Sequence, residues 1–245
     1  MAYLSLSNKL SINRIAQVTN DLSGCGKETF ELHLEFGNHI AATSNTPTPF
    51  NINRWRDSSG SGRDYVQLTG ASQPRWTGHG YNFDGANENL EQNLGTAIVL
   101  DDEFTIGFAI KLGESPSNLV TIADASSAND FIRIKNAEQI EIKADGQLRT
   151  VDLNGSLPNG DPVGRVIQRT ALGSVRIYVD GVTQTDTASF TGSKPLDIDT
   201  VGCRNSQIND FIGDIGEIII YSCSEQSLVT GVIDQIDNIR VQMIQ

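Results

Sequence analysis

Residues 139–151 read QIEIKADGQLRTV. Ile140 and Ile142 alternate with polar residues before Asp145-Gly146, and a second alternating run follows. A period of two is that of a half-buried strand. Asp-Gly tolerates the positive φ that a type I′ turn needs at both central positions, so this stretch predicts a two-residue hairpin. Residues 174–186, SVRIYVDGVTQTD, repeat the device at Asp180-Gly181. Upstream, EFTIGFAIKL (103–112) puts Phe104, Ile106, Phe108 and Ile110 at alternate positions. LVTIADA (119–125), DFIRIKN (130–136), LDIDTVGC (196–203) and FIGDIGEIIIYS (211–222) add further short apolar runs. Short strands at regular spacing, separated by turn residues, predict an all-β sandwich or jelly roll.

The two ends read differently. ETFELHLEF (28–36) places Phe30, Leu32, Leu34 and Phe36 on one face of a strand. GNHIAATSNTPTPF (37–50), with two prolines, reads as a loop or linker. Before it, residues 1–24 alternate weakly and form an N-terminal arm carrying Leu4, Leu6, Leu10 and Ile12. The division expected is therefore arm, strand and linker over residues 1–50 and a sandwich over 51–245. At the C-terminus Leu228, Val229, Val232, Ile233, Ile236, Ile239 and Met243 recur every three or four residues. That spacing predicts an amphipathic helix over 224–243, with Ser222 and Glu225 at capping-box spacing.

Composition excludes several functions. The chain has 245 residues and a net charge of −12, a field that repels nucleic acid and anionic membranes. No run is long and apolar enough for a membrane span, and the start lacks the basic-then-apolar order of a signal peptide. The three cysteines, Cys25, Cys203 and Cys223, are not clustered. They read as semi-buried thiols of a chain folded in a reducing cytoplasm. His33, His39 and His79 are scattered, without a CxxC pair, so zinc is not expected.

Residues 81–90, YNFDGANENL, resemble the "FDG-x-ND" opening of laminin-G-like, concanavalin A-like domains. EFTIGFAIKL, VRIYVDGV and FIGDIGEIIIYSCSEQSLVTGV resemble that family's later strands and closing helix, in the same order. The resemblance covers residues 55–243 and implies a concanavalin A-like (laminin-G-like) β-sandwich jelly roll with a short C-terminal helix and an N-terminal arm. A second likeness lies upstream. Trp55-x-Asp57-x-Ser59-Gly60-x-Gly62-x-Asp64, then Gln67 and Gln73-Pro74, resembles a run found in laminin-G-like proteins of tailed bacteriophages and in relatives of arabinofuranosidase catalytic domains. It implies a non-enzymatic virion structural protein (capsid decoration or a tail or baseplate accessory) assembled in the host cytoplasm. Its partners would be other virion proteins, with the protein present as a homo-oligomer or in multiple copies. Leu4, Leu6, Leu10 and Ile12 of the arm would provide the anchor by strand addition or apolar packing.

The alternative function is a glycan-binding adhesion module touching a host-surface glycan. Trp55, Tyr65, Trp76 and Tyr81 could stack on sugar rings, or could plug the end of the sandwich. Asp84, Asn87 and Glu88 lie in a glycine-containing turn. Their hard oxygens would suit calcium, or Asp84 could bond backbone amides as a turn residue does. A glycoside hydrolase is a third reading, but it needs carboxylates on one face at a workable separation. Glu138 with Glu141, and Asp214 with Glu217, are three apart, which on a regular strand puts them on opposite faces. Asp197 and Asp199 share a face but lack a third carboxylate. No catalytic residue is assigned.

Overall fold

The computed structural model describes residues 30–41, 48–204 and 210–244. Leu4, Leu6, Leu10 and Ile12 lie outside them.

One layer of the sandwich is built on the long strands β8 (Phe104–Leu112), β13 (Pro162–Arg169), β14 (Ser174–Val179) and β19 (Ile212–Tyr221), paired antiparallel in the order β14-β13-β8-β19. Beyond β19, the strand β5 (Tyr81–Asp84) pairs with its first half and β1 (Phe30–Ala41) with its second. The other layer runs β12 (Gln147–Asp152), β11 (Gln139–Ala144), β10 (Phe131–Asn136), β9 (Leu119–Ala123), β18 (Thr200–Val201) and β6 (Leu90–Gln92). The short strands β3 (Tyr65–Val66) and β2 (Phe50–Asp57) join it to β1, while β4 (Arg75–Trp76) bridges β2 and β5. Of the remaining short strands, β7 (Ile98–Leu100) pairs with β17 (Leu196–Ile198), and β15 (Val182–Thr183) and β16 (Ala188–Ser189) pair with β14. Ile106, Phe108 and Ile110 from the first layer and Ile132, Ile134, Ile140 and Ile142 from the second share one buried core.

The hairpins form where the local chemistry dictates. Asp145 and Gly146 have φ of 43° and 75°, and Asp180 and Gly181 have 47° and 75°. Positive φ at both central positions matches the strand twist, which fixes the pairs Ala144↔Gln147 and Val179↔Val182.

The helix α1 spans Gln226–Gln242 and packs on β13, β8 and β19, on the face away from the main core. Its Leu228, Val229, Val232, Ile236 and Ile239 cover Ala109, Val166, Tyr178, Ile219 and Tyr221. Glycines make the close approach possible. A Cβ on Gly107 would lie 2.5 Å from Val232 Cγ1, one on Gly164 3.1 Å from Ile236 Cγ2, and one on Gly216 2.5 Å from Met243 Sδ. The capping box is absent. The N-cap is Glu225, without a side-chain bond to the helix, and Ser222 Oγ instead donates to Glu31 Oε1 at 2.9 Å.

Four expectations change. Residues 37–41 continue β1 rather than open a linker, so the strand assigned to the arm segment is paired on both edges inside the sandwich. Leu32 and Leu34 enter the main core, whereas Phe30 and Phe36 pack with the helix cluster. A register break between Phe30 and Leu32, and a wider one between Leu34 and His39, interrupt the alternation. Asp214 and Glu217 share a face: the break at Gly216 pairs Asp214 with Lys111 and Glu217 with Ala109, so the spacing of three does not alternate. Cys203 is a buried free thiol, but Cys223 is disulfide-bonded, so the reading of every cysteine as a thiol does not hold.

Candidate aromatic site

The stretch from Trp55 to Gly85 is mostly structural wiring. Asp57 Oδ1 accepts from Ser59 N at 2.8 Å, while its Oδ2 accepts from Ser61 Oγ at 2.7 Å and Arg63 N at 3.1 Å. Burial disfavours the charge on Asp57, but these bonds outweigh it and lower its pKa. Asp64 accepts from Asp57 N at 2.9 Å and from Arg54 at 3.2 Å. Gly60 and Gly62 supply φ of 93° and 75°. The run that carries the virion resemblance is thus a self-bonded loop.

The aromatic residues divide by burial. Trp55, Tyr65 and Tyr81 are wholly buried, so they have no face left for a sugar and instead plug the sandwich. Trp55 donates from Nε1 to the Glu35 carbonyl at 2.8 Å and lies against Tyr81, ring centroids 4.0 Å apart. Trp76 is only partly buried. Cross-strand pairing places it: Phe50↔Trp76 across β2–β4, and Trp76↔Tyr81 across β4–β5. The β1–β2 pairing His39↔Trp55 adds the imidazole.

These pairings produce a rim of partly exposed rings on a buried base. Trp76 lies 5.1 Å from Phe36 in an edge-on arrangement and 5.0 Å from His39, which is 5.3 Å from Phe50. Underneath, Tyr81 is 4.9 Å from Trp76, and its hydroxyl meets His39 Nδ1 at 3.2 Å. Burial first, then the nearby Arg56 charge, lowers the His39 pKa to about 4. The imidazole is therefore neutral near pH 7, and the rim presents uncharged rings. Sequence reading found Trp76 but missed Phe36, His39 and Phe50. Two of those fall in the segment read as a linker, and only strand register brings all four together.

The calcium candidates are engaged in turns. Asp84 Oδ1 accepts from Ala86 N at 2.8 Å, Glu88 Oε2 accepts from Asp84 N, and Asn87 N donates to Asp210 Oδ2 at 3.1 Å. Among the described residues no group of three acidic, His or Cys side chains is disposed to hold a metal ion. Burial, assisted by the Asp84 carboxylate, raises the Glu88 pKa from 4.5 to about 7. Folding therefore takes up a proton between those values, and stability falls as pH rises through that window. Glu88→Gln should remove that loss, stabilising the protein by about 1–2 kcal/mol above pH 7, as thermal melts across pH would show.

Other carboxylates are similarly committed. Glu141 is held by Arg133 at 2.5 Å and Lys135 at 3.2 Å. Asp199 accepts from Ala125 N at 2.6 Å. A groove of about 430 Å³ is lined by Glu31, Asp101, Asp102 and Glu103, with Val99, Ala171 and Ser222. Glu31 pairs with Arg63, Asp102 with Arg169, and Glu103 accepts from Ser224 Oγ. No ring lines it.

No family model matches the sequence, and no curated protein matches it. Similar solved structures do exist. Domain 4 of an extracellular arabinanase from Geobacillus stearothermophilus, solved with arabinotriose, matches with a TM-score of 0.55 and 16% identity, over 85% of this chain and 98% of that one. The ligand-binding domain of botulinum neurotoxin serotype D, solved with N-acetylneuraminic acid, matches at 0.53 and 14%, over 88% and 51%. Trypanosoma rangeli sialidase, solved with sialic acid, matches at 0.55 and 14%, over 98% and 40%. The chain thus spans nearly all of the arabinanase domain but about half or less of the other two. At these identities the likeness is one of fold, a β-sandwich.

Proposed function

We propose that the chain is a non-catalytic saccharide-binding module whose contact surface is the rim of Phe36, His39, Phe50 and Trp76. The observation that carries this reading is the partly exposed, uncharged ring set braced from beneath by Trp55 and Tyr81. Saccharide binding commonly uses an aromatic face against the apolar side of a sugar, and a ring already held in place loses little entropy on contact. The similar arabinanase domain was solved with a saccharide, which supports the same use of this fold.

Calorimetric titration with arabinotriose and N-acetylneuraminic acid, followed by a glycan array, tests the reading. Trp76→Ala should weaken binding about tenfold or more. Its effect on folding should be small, because the ring is only partly buried. An array without any bound saccharide, or wild-type affinity in Trp76→Ala, would overturn the proposal.

A place on a phage particle is compatible with this reading, as an adhesion module displayed in several copies. It is supported by the Trp55–Asp64 run and Phe83-Asp84-Gly85. The disulfide at Cys223 suits a protein that works outside a reducing cytoplasm. Deleting residues 1–24 should abolish particle incorporation while the sandwich still folds. Normal incorporation of the truncated chain would remove the anchoring role.

A further inference from the structure

Beneath the rim lies a charged pair that the ring contacts do not use. His33 on β1 and Glu217 on β19 are 2% and 0% exposed, and His33 Nε2 meets Glu217 Oε1 at 3.0 Å. The same oxygen accepts from Gln235 Nε2 of α1 at 2.9 Å. The other oxygen, Oε2, accepts from the backbone N–H of Phe36 at 3.3 Å. That contact falls within the wide register break between Leu34 and His39, where β1 leaves its regular pairing with β2. One buried carboxylate thus ties the helix, the central strand and the irregular part of β1 that carries two rim rings.

We propose that Glu217 is a positioning residue for the aromatic rim, and that the protonation state of His33 sets how firmly it holds Phe36 and thereby the ring set at Trp76. The groups facing His33 are Glu217 from β19, Asp57 from β2, Glu35 on β1 itself and the uncharged Gln235 from α1. Asp57 also accepts from the His33 backbone N–H at 3.0 Å. With His33 charged, the buried carboxylate has a counter-charge. When His33 loses its proton, Glu217 becomes an uncompensated buried charge, which is expensive enough to disrupt the arrangement around it. Burial alone would lower the His33 pKa, but the Glu217, Glu35 and Asp57 carboxylates outweigh it and hold the pKa above 6.5. The rim is therefore held at pH below that raised value and loosens as pH rises through it.

The consequence for saccharide affinity rests on the binding role proposed above; the coupling between His33 and the rim does not. The test is fluorine NMR of protein labelled with 5-fluorotryptophan, which gives one signal for Trp55 and one for Trp76, assigned with Trp76→Phe. It is run in a His79→Gln background, so that His33 and His39 are the remaining histidines. Between about pH 5.5 and 9.5, His39 is already neutral. The Trp76 signal should shift with a midpoint above 6.5. His33→Gln should abolish the shift, and Glu217→Gln should move its midpoint to lower pH. A Trp76 signal that does not move, or that moves with an unchanged midpoint in His33→Gln, overturns the coupling. Affinity for arabinotriose should fall about tenfold across the same transition, the equivalent of one lost backbone hydrogen bond. If no saccharide binds while the fluorine shift behaves as stated, the binding role fails and the coupling stands.

Discussion

Gly107→Val should destabilise the protein by about 3 kcal/mol or more, the upper range for forcing extra atoms into a packed contact. The first new carbon would sit 2.5 Å from Val232 Cγ1 and 2.8 Å from Ile236 Cγ1, both on α1. The rest of the valine cannot turn away, because Gly107 is central to β8, between β13 and β19. Relief requires the helix to lift from Ala109, Val166 and Ile219, which would return its apolar face to water. For a domain of this size the melting temperature should drop by roughly 6–12 °C. Gly70→Ala is the control: its Cβ would have nothing within 4 Å, so its effect should stay within about 0.5 kcal/mol. Equal stability of the two variants in urea unfolding would show that α1 does not press on β8.

Glu217→Ala should cost about 3–5 kcal/mol, the range for breaking a buried ion pair from one side. The loss strands His33 Nε2, Gln235 Nε2 and the Phe36 N–H without their acceptor. Its pH dependence identifies the cause. Since the folded-state pKa of His33 lies above 6.5, folding takes up a proton. The stabilisation this provides is complete below 6.5 and disappears as pH climbs through the raised value. Wild-type protein should therefore lose stability on the alkaline side, and Glu217→Ala should show a flatter profile there. An unchanged alkaline loss in the variant would mean that His33 is not its source.

Much of the fold was legible in the chain because its determinants are local. The turns at Asp145-Gly146 and Asp180-Gly181 form because those residues accept positive φ, wherever the rest of the molecule lies. The helix over residues 226–242 follows from an apolar stripe spaced for one face. Its seat was half legible: in β8 the residues between the large apolar ones include Gly107 and Ala109, small rather than charged, which is what a strand covered on both faces requires.

The site was not legible in the same way. Phe36, His39, Phe50 and Trp76 are up to forty positions apart and meet through the register of β1, β2 and β4. That register includes a break between Leu34 and His39, where Gly37 takes a φ of 75° and the Phe36 N–H bonds Glu217 instead of β2. Another break defeated simple alternation at Gly216, where one extra residue puts Asp214 and Glu217 on the same face. The two tight turns, the helix and alternating runs such as 103–112 and 139–151 were legible because neighbouring residues specify them, whereas Phe50–Asp57 and Pro162–Arg169 take their strand form from their partners in the sheet. Which aromatic rings are buried and which reach solvent follows from the packed chain, because exposure depends on what its distant parts cover.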